Sequence, residues 1–450
     1  MIHRILATLR ELRARSILVG GWIAFMIYAW PGYLGWDSVT QLVQARAGHY
    51  TDDHPPAMAV LWRLLEHVVR GPALMLVLIS VTFLAGVYLL LAKVMSERRA
   101  AWFAIAILAF PPVGTLLAVV LKDCLMAGFV LLGLPFLLGD GRRRWLGLAL
   151  FAVASTMRWN TLAASLPLIF LLFRWSPTIN GWKRYAVATV AWLGVTVGAG
   201  AVNQALTDEA YHYWYSSHAY QDIAGTLEYA RPYSDAELRE ALEGTPLVAR
   251  DQIQARMRAI YQPWSFTHLR GGDTRIWDFC ETAEQRAAVA RAWKQILTEN
   301  PAAYLQYRWD VFVLLMRFDG GRYVNTITAF MPPHEDAALV EHDATYSRAQ
   351  SVMASAVTPL SETLMFDPYI YLAVSLIVLG LAIGRDRLAA AIVLSGLSYQ
   401  GAWFLLAPTA DYRYSQWMVT TTVLGAIVCF ANRRARLAAA RTKQGNSQAE

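Results

Sequence analysis

The stretch PALMLVLISVTFLAGVYLLL, Pro72 to Leu91, is twenty residues long and carries no charge. A bilayer core asks for about 20 apolar residues per crossing helix, so this run reads as a membrane span. Immediately after it stands Lys93 to Arg99, a short basic segment, and then a second apolar run from Ala101 to Val119, broken at Pro111-Pro112. Working outward in both directions, the same alternation repeats along the chain. The other runs are Ser16 to Tyr33, Cys124 to Leu138, Trp145 to Thr156, Leu162 to Phe173, Ala186 to Val202, Tyr369 to Ile383, Leu388 to Ala407 and Met418 to Phe430.

Composition agrees with this pattern. Of 450 residues, 56% are hydrophobic and only 16% charged, more apolar material than a soluble core of this length buries. The net charge of +7 would suit a nucleic-acid binder if it were clustered. Instead the basic residues recur between apolar runs, in Lys93 to Arg99, Gly139 to Arg144, Arg174 to Arg184, Arg385 to Arg387 and the tail from Arg433. This is the positive-inside pattern: it places those loops and both termini in the cytoplasm and gives no nucleic-acid partner. The basic Met1 to Arg15 leads into an apolar run without a small-residue cleavage site, so the first helix is expected to stay uncleaved. Cys124, Cys280 and Cys429 are too dispersed for a zinc site or a disulfide framework.

Two polar stretches interrupt the alternation. Leu34 to Arg70 holds Asp37, Gln41, Gln44, Asp52, Asp53 and His54; Thr207 to Phe366 has ordinary soluble composition and predicts amphipathic helices over Asp235 to Arg250 and Glu281 to Glu299. Within the latter, Tyr304 to Phe318 is apolar enough to lie on a membrane or partly enter it, and is not counted as a span. The expected organisation is an N-terminal transmembrane module (1–206) with a catalytic first outer loop (34–70), an extracytoplasmic, mainly helical domain (207–366), C-terminal transmembrane helices (367–432) and a basic, polar tail (433–450), disordered from Thr442.

With that topology, the ionisable residues near helix ends gather on the outer side: Asp37, Asp53-His54, Lys122-Asp123, Arg158 with Asn160, and Asp411-Tyr412-Arg413. Charges at membrane depth are costly, so such a group reads as a site. Each has a plainer role as well. Asp37 could cap a helix from Ser38 toward Ala47; Lys122-Asp123 could mark a helix end; Arg158 could reach for the surface; Asp411 and Arg413 could pair with each other in a turn. As a set, Asp37 and Asp123 can accept a proton from a hydroxyl or hold a divalent metal ion, while Lys122, Arg158 and Arg413 can neutralise a phosphate. A lipid phosphate leaving group fits that mixture.

The motifs G-W-D-S-V-T-Q (Gly35 to Gln41) and D-D-H-P-P (Asp52 to Pro56) resemble the first outer loop of GT-C glycosyltransferases, polytopic enzymes such as protein O-mannosyltransferases and aminoarabinose transferases. V-L-K-D-C-L (Val120 to Leu125) and P-T-A-D-Y-R-Y-S (Pro408 to Ser415) are similar to later outer-loop elements of that family. The many members with a first-loop Asp-Glu pair differ here, where Ser38 follows Asp37. The resemblance implies an all-α, GT-C-like bundle of about ten transmembrane helices with a small extracytoplasmic domain, in the bacterial inner membrane. It implies catalytic roles for Asp37 and Asp123, and substrate binding by Asp53, His54, Lys122, Arg158, Asn160, Asp411, Tyr412 and Arg413. The donor would be a polyprenyl-phosphate sugar, and the acceptor a glycan, lipid or protein on the periplasmic side. Rival readings are a transporter or flippase for a lipid-linked or anionic substrate, against which stands the lack of repeated halves, and a surface-polysaccharide polymerase or ligase.

Overall fold

The computed structural model describes residues 12–176, 178–320 and 347–447. Most of the basic stretch before the first apolar run, and residues 321–346 of the long polar region, lie outside them. Among the described residues the chain is helical throughout, with three isolated β-bridges and no named strand.

The helices of the first half are α1 (Ala14–Ala29), α2 (Trp36–Ala47), α3 (Ala57–Glu66), α4 (Ala73–Leu91), α5 (Glu97–Ala109), α6 (Pro111–Leu117), α7 (Lys122–Leu137), α8 (Arg143–Met157), α9 (Thr161–Leu172) and α10 (Trp182–Leu206). Then come α11 (His218–Tyr229), α12 (Asp235–Ala241), α13 (Ile253–Ile260), α14 (Thr267–Arg270), α15 (Ala283–Glu299) and α16 (Pro301–Met316). The last four are α17 (Arg348–Val357), α18 (Pro368–Ala382), α19 (Arg387–Leu406) and α20 (Gln416–Ser447).

Each of the ten apolar runs is helical. Among the described residues four helices, α4, α10, α19 and the last, α20, are long and apolar enough to cross a membrane, or five if the bent pair α5–α6 counts as one. That pair turns through 75°. Phe110, extended before Pro111, marks the break, because a proline disfavours helical geometry in the residue ahead of it. Other runs, such as α7 at 16 residues and α8 at 15, fall short of a full crossing length.

The chain divides into two compact units, one of residues 1–208, 326–400 and 416–450, the other of residues 209–325 and 401–415. In the first, α7 packs between α4 and α8. Small residues allow the close approach: a Cβ on Gly86 of α4 would stand 2.4 Å from the backbone of Leu131, and one on Gly147 of α8 would stand 2.5 Å from that of Leu137. In the second, α11 is surrounded by α13, α15 and α16 over a core containing Tyr220 stacked on Trp277, rings 4.6 Å apart.

Three local expectations change. The helix expected over Asp235 to Arg250 stops at Ala241, since Gly244 takes a left-handed φ of +79° that ends it. The tail expected to be disordered from Thr442 continues α20 to Ser447, helped by a run of good helix formers after Arg433. Asp37 does not cap its helix, because Gly35 occupies the cap position and Asp37 lies inside the first turn.

Candidate functional site

The segment that follows α1 is stitched to the entry of α7. The Tyr33 amide donates to the Ala118 carbonyl and the Val120 amide to the Tyr33 carbonyl, both at 2.9 Å. Ser38 Oγ accepts from the Gly35 amide at 3.1 Å and donates to the Val120 carbonyl at 2.6 Å. These bonds fix the first turn of α2 against the first turn of α7, which sets Asp37 facing Lys122 although 85 residues separate them.

Lys122 Nζ donates to Asp37 Oδ2 at 2.7 Å and lies 2.9 Å from His54 Nδ1. An ammonium has no lone pair, so Nδ1 accepts and the imidazole proton belongs on Nε2, which stands 3.7 Å from Asp37 Oδ1. Asp37 and Lys122 are both buried. A cation at a helix N-terminus meets the positive end of the dipole, and Asp37 offsets that penalty for Lys122.

His54 is presented by a polar knot. Asp53 Oδ1 accepts from Thr51 Oγ1 at 2.6 Å, from the His54 amide at 2.8 Å and from Gln44 Nε2 at 3.0 Å; Gln44 also donates to Thr51 at 2.8 Å. Burial by itself would raise the Asp53 carboxyl, but neighbouring His54 and these donors together hold it below the usual carboxylate range.

The residue after Lys122 starts a second pair. Asp123 Oδ2 accepts from Arg158 Nη1 at 2.7 Å, and Tyr399 OH lies 3.4 Å from Oδ1. Helices α7 and α8 form a hairpin of nearly equal arms, so the end of α8 returns to the level where α7 began. There Arg158 leaves the helix in extended geometry and turns its guanidinium onto Asp123, which is only 2% exposed. The two charges are costly to bury singly and are kept as a pair.

The structure thus brings Asp37, His54 and Lys122 into one cluster, with Asp53 bonded to the His54 amide, and pairs Asp123 with Arg158 in a second, the two joined by the adjacency of Lys122 and Asp123 on α7. Asn160, two residues after Arg158, heads α9, and among the described residues its side chain makes no hydrogen bond to this group. Asp411, Tyr412 and Arg413 belong to the second unit. There Arg413 Nε stands 2.8 Å from Asp411 Oδ2, the mutual pairing that is the plainer reading of that turn. Tyr412 is fully buried, and Tyr414 stacks on Trp403 with ring centres 3.9 Å apart.

Sequence reading missed Tyr399 and the supporting parts played by Ser38 and Thr51. Tyr399 had a signal, since Tyr399-Gln400 is a polar pair inside an otherwise apolar helix. Ser38 and Thr51 had none, because short hydroxyl side chains are common in loops and caps.

No group of three or more His, Cys, Asp or Glu side chains able to hold a metal ion occurs among the described residues. At the site itself the Lys122 ammonium stands between Asp37 and His54, so this donor set does not fit a divalent cation, and no step below uses one. What the arrangement offers is one carboxylate and one imidazole sharing an ammonium, and, from the next residue of α7, a second carboxylate that fixes a guanidinium. No family model matches the chain, nor does any curated protein or any solved structure.

Proposed function

We propose that this chain is a multi-pass membrane glycosyltransferase with ten spans, which moves a sugar from a polyprenyl-phosphate donor to an acceptor on the outer face of a bacterial inner membrane. The observation that carries the reading is the pair of consecutive residues Lys122 and Asp123, each tied at 2.7 Å to an opposite charge from a distant element. Buried ionisable clusters at membrane depth are expensive and are kept where chemistry or transport needs them.

In the resting arrangement Lys122 neutralises Asp37. The donor phosphate competes for that ammonium and for the guanidinium of Arg158, which Asp123 holds in place. As Lys122 turns toward phosphate, Asp37 loses its cation and becomes a stronger base. It takes the proton from the acceptor hydroxyl; the oxygen attacks the anomeric carbon; the bond to the phosphate oxygen breaks, and polyprenyl phosphate leaves with its charge on Lys122 and Arg158. His54 keeps Lys122 aimed through this exchange. In this scheme Asp123, with both oxygens engaged and nearly no exposure, positions Arg158 and does not touch the sugar.

The test is transfer by the purified full chain in detergent, with a panel of polyprenyl-phosphate sugars and release of polyprenyl phosphate as readout. Asp37→Asn keeps the shape and removes the base, so release falls by a factor on the order of 10² or more. Undiminished release in that variant, or movement of intact donor across proteoliposomes with no release, overturns the assignment. The latter outcome is the one a flippase gives.

A further inference from the structure

A cavity of about 410 Å³ lies at the end of the first unit opposite in chain direction to the site, where α18 ends and α20 passes it. It is lined by Leu381, Arg385, Cys429, Arg433, Arg436 and Leu437. Three exposed arginines therefore line one small space, and the rest of its wall is apolar. Arg385 follows α18 in the short connection to α19, while Arg433 and Arg436, three apart on α20, share one helix face.

None of the three arginines has a carboxylate partner among the described residues. The carboxylate next along the chain, Asp386, is buried and bonds to neutral donors, its Oδ2 accepting from Asn432 Nδ2 at 2.8 Å and its Oδ1 from the Ala389 amide at 3.1 Å, so its single negative charge offsets at most one of the three positive ones. Arg387 is likewise engaged, donating to the Tyr185 hydroxyl. Arg436 is held in position by donating to the Arg385 carbonyl at 2.6 Å and to the Asn432 carbonyl at 3.3 Å, both uncharged backbone oxygens. With Asp386 counted, the balance of charge at the cavity is still positive, and an anion entering between the arginines lowers their mutual repulsion.

We infer that this cavity binds the phosphate of an anionic phospholipid. Guanidinium groups match phosphate oxygens by paired N–H donors, which accounts for arginine in all three places. The lipid source is favoured over a soluble phosphate by the apolar remainder of the wall and its flanks: Leu381 and Leu437 line the cavity, and Ile383 and Phe430 beside it are largely exposed. The same connection, Arg385 to Arg387, is one that the charge pattern puts on the cytoplasmic side, where anionic headgroups give the surface its negative potential. This site does not depend on the transfer reaction proposed above.

The experiment uses the purified full chain in detergent and titrates phosphatidylglycerol, phosphatidylcholine and inorganic phosphate separately, counting bound molecules by native mass spectrometry. The expected result is retention of phosphatidylglycerol over phosphatidylcholine, with inorganic phosphate failing to displace it at millimolar concentration. A cation near a membrane surface is worth about fivefold in affinity for anionic lipid, so Arg385→Gln and Arg433→Gln each weaken phosphatidylglycerol binding about fivefold. Arg434→Gln removes the same charge from a neighbouring position that does not line the cavity, and changes binding less than about twofold. Equal retention of both lipids, or a loss in Arg434→Gln matching that in Arg385→Gln, means diffuse surface attraction and overturns the inference. So does tight inorganic phosphate binding without any phosphatidylglycerol preference.

Discussion

Replacing Arg158 by Met tests whether the second ion pair holds the site together. The side chain keeps its apolar length and loses its charge, leaving Asp123 at 2% exposure with Tyr399 OH, 3.4 Å from Oδ1, in place of the guanidinium at 2.7 Å on Oδ2. Breaking a buried pair by removing one partner costs roughly 3–5 kcal/mol, because the remaining charge is neither solvated nor neutralised. That corresponds to a shift of the unfolding equilibrium by about a hundredfold to a few thousandfold. Replacing both residues, Asp123→Asn with Arg158→Met, removes both charges, so the double variant should recover at least about 2 kcal/mol relative to the sum of the single changes. The assay is reversible denaturation of the purified protein in mixed micelles for wild type, both single variants and the double. A single Arg158→Met that unfolds within about 1 kcal/mol of wild type, or a double variant that merely adds the two losses, refutes the claim that the pair is buried and mutually dependent.

Two further outcomes follow from the loop and from the second unit. Gln44→Ala removes one donor to Asp53 and one to Thr51, so the knot presenting His54 loosens; under the proposed function, release of polyprenyl phosphate should fall by about tenfold, with the Asp37→Asn variant showing no further loss when the two are combined, and additive losses would mean that Gln44 acts elsewhere. His218 is depressed to about 4, first by burial and then by the nearby charge of Arg308. An unfolded histidine titrates near 6.5, so the unfolded chain binds the extra proton first as pH drops. The stability of that unit should therefore fall from about pH 6.5 to about pH 4 and level off below, and His218→Phe should flatten this limb of a stability–pH profile. An unchanged slope in the variant would show that other groups carry the acid sensitivity.

The second unit has a buried pair of its own, with Arg308 Nη2 donating to Asp222 Oδ1 at 2.6 Å, and Trp293 and Tyr307 donating to the same carboxylate at 2.8 and 3.1 Å. Arg308 also donates to the Ala407 carbonyl at 2.9 Å. Burial pushes the Asp222 carboxyl up, against the pull of Arg308 and the two ring donors. The apolar content of Tyr304 to Phe318 suits a segment that lies on a membrane or partly enters it; inside this unit its helix, α16, turns Tyr307, Val311 and Leu315 inward while Leu305 and Trp309 stay exposed. Composition could not separate those faces, since aromatic and aliphatic residues occupy both.

Read alone, the sequence determined where the apolar helices run, because burial in lipid or in a helical core demands long uncharged stretches and leaves a mark on every residue of them. It also marked Pro111-Pro112 as a break and picked out Asp37, His54, Lys122, Asp123 and Arg158, since ionisable groups among apolar runs stand out by their cost. Which of these meet was beyond it. Asp37 faces Lys122 because main-chain amides and carbonyls of residues 33 and 118–120 bond to one another, and backbone groups are the same in every residue type. Arg158 meets Asp123 because two helical arms of similar length fold back on each other, a matter of geometry that no single residue records. Tertiary structure alone decided that Lys122 and Arg158 each arrive already paired with a carboxylate, and that Arg413 takes Asp411 as its neighbour within the other unit.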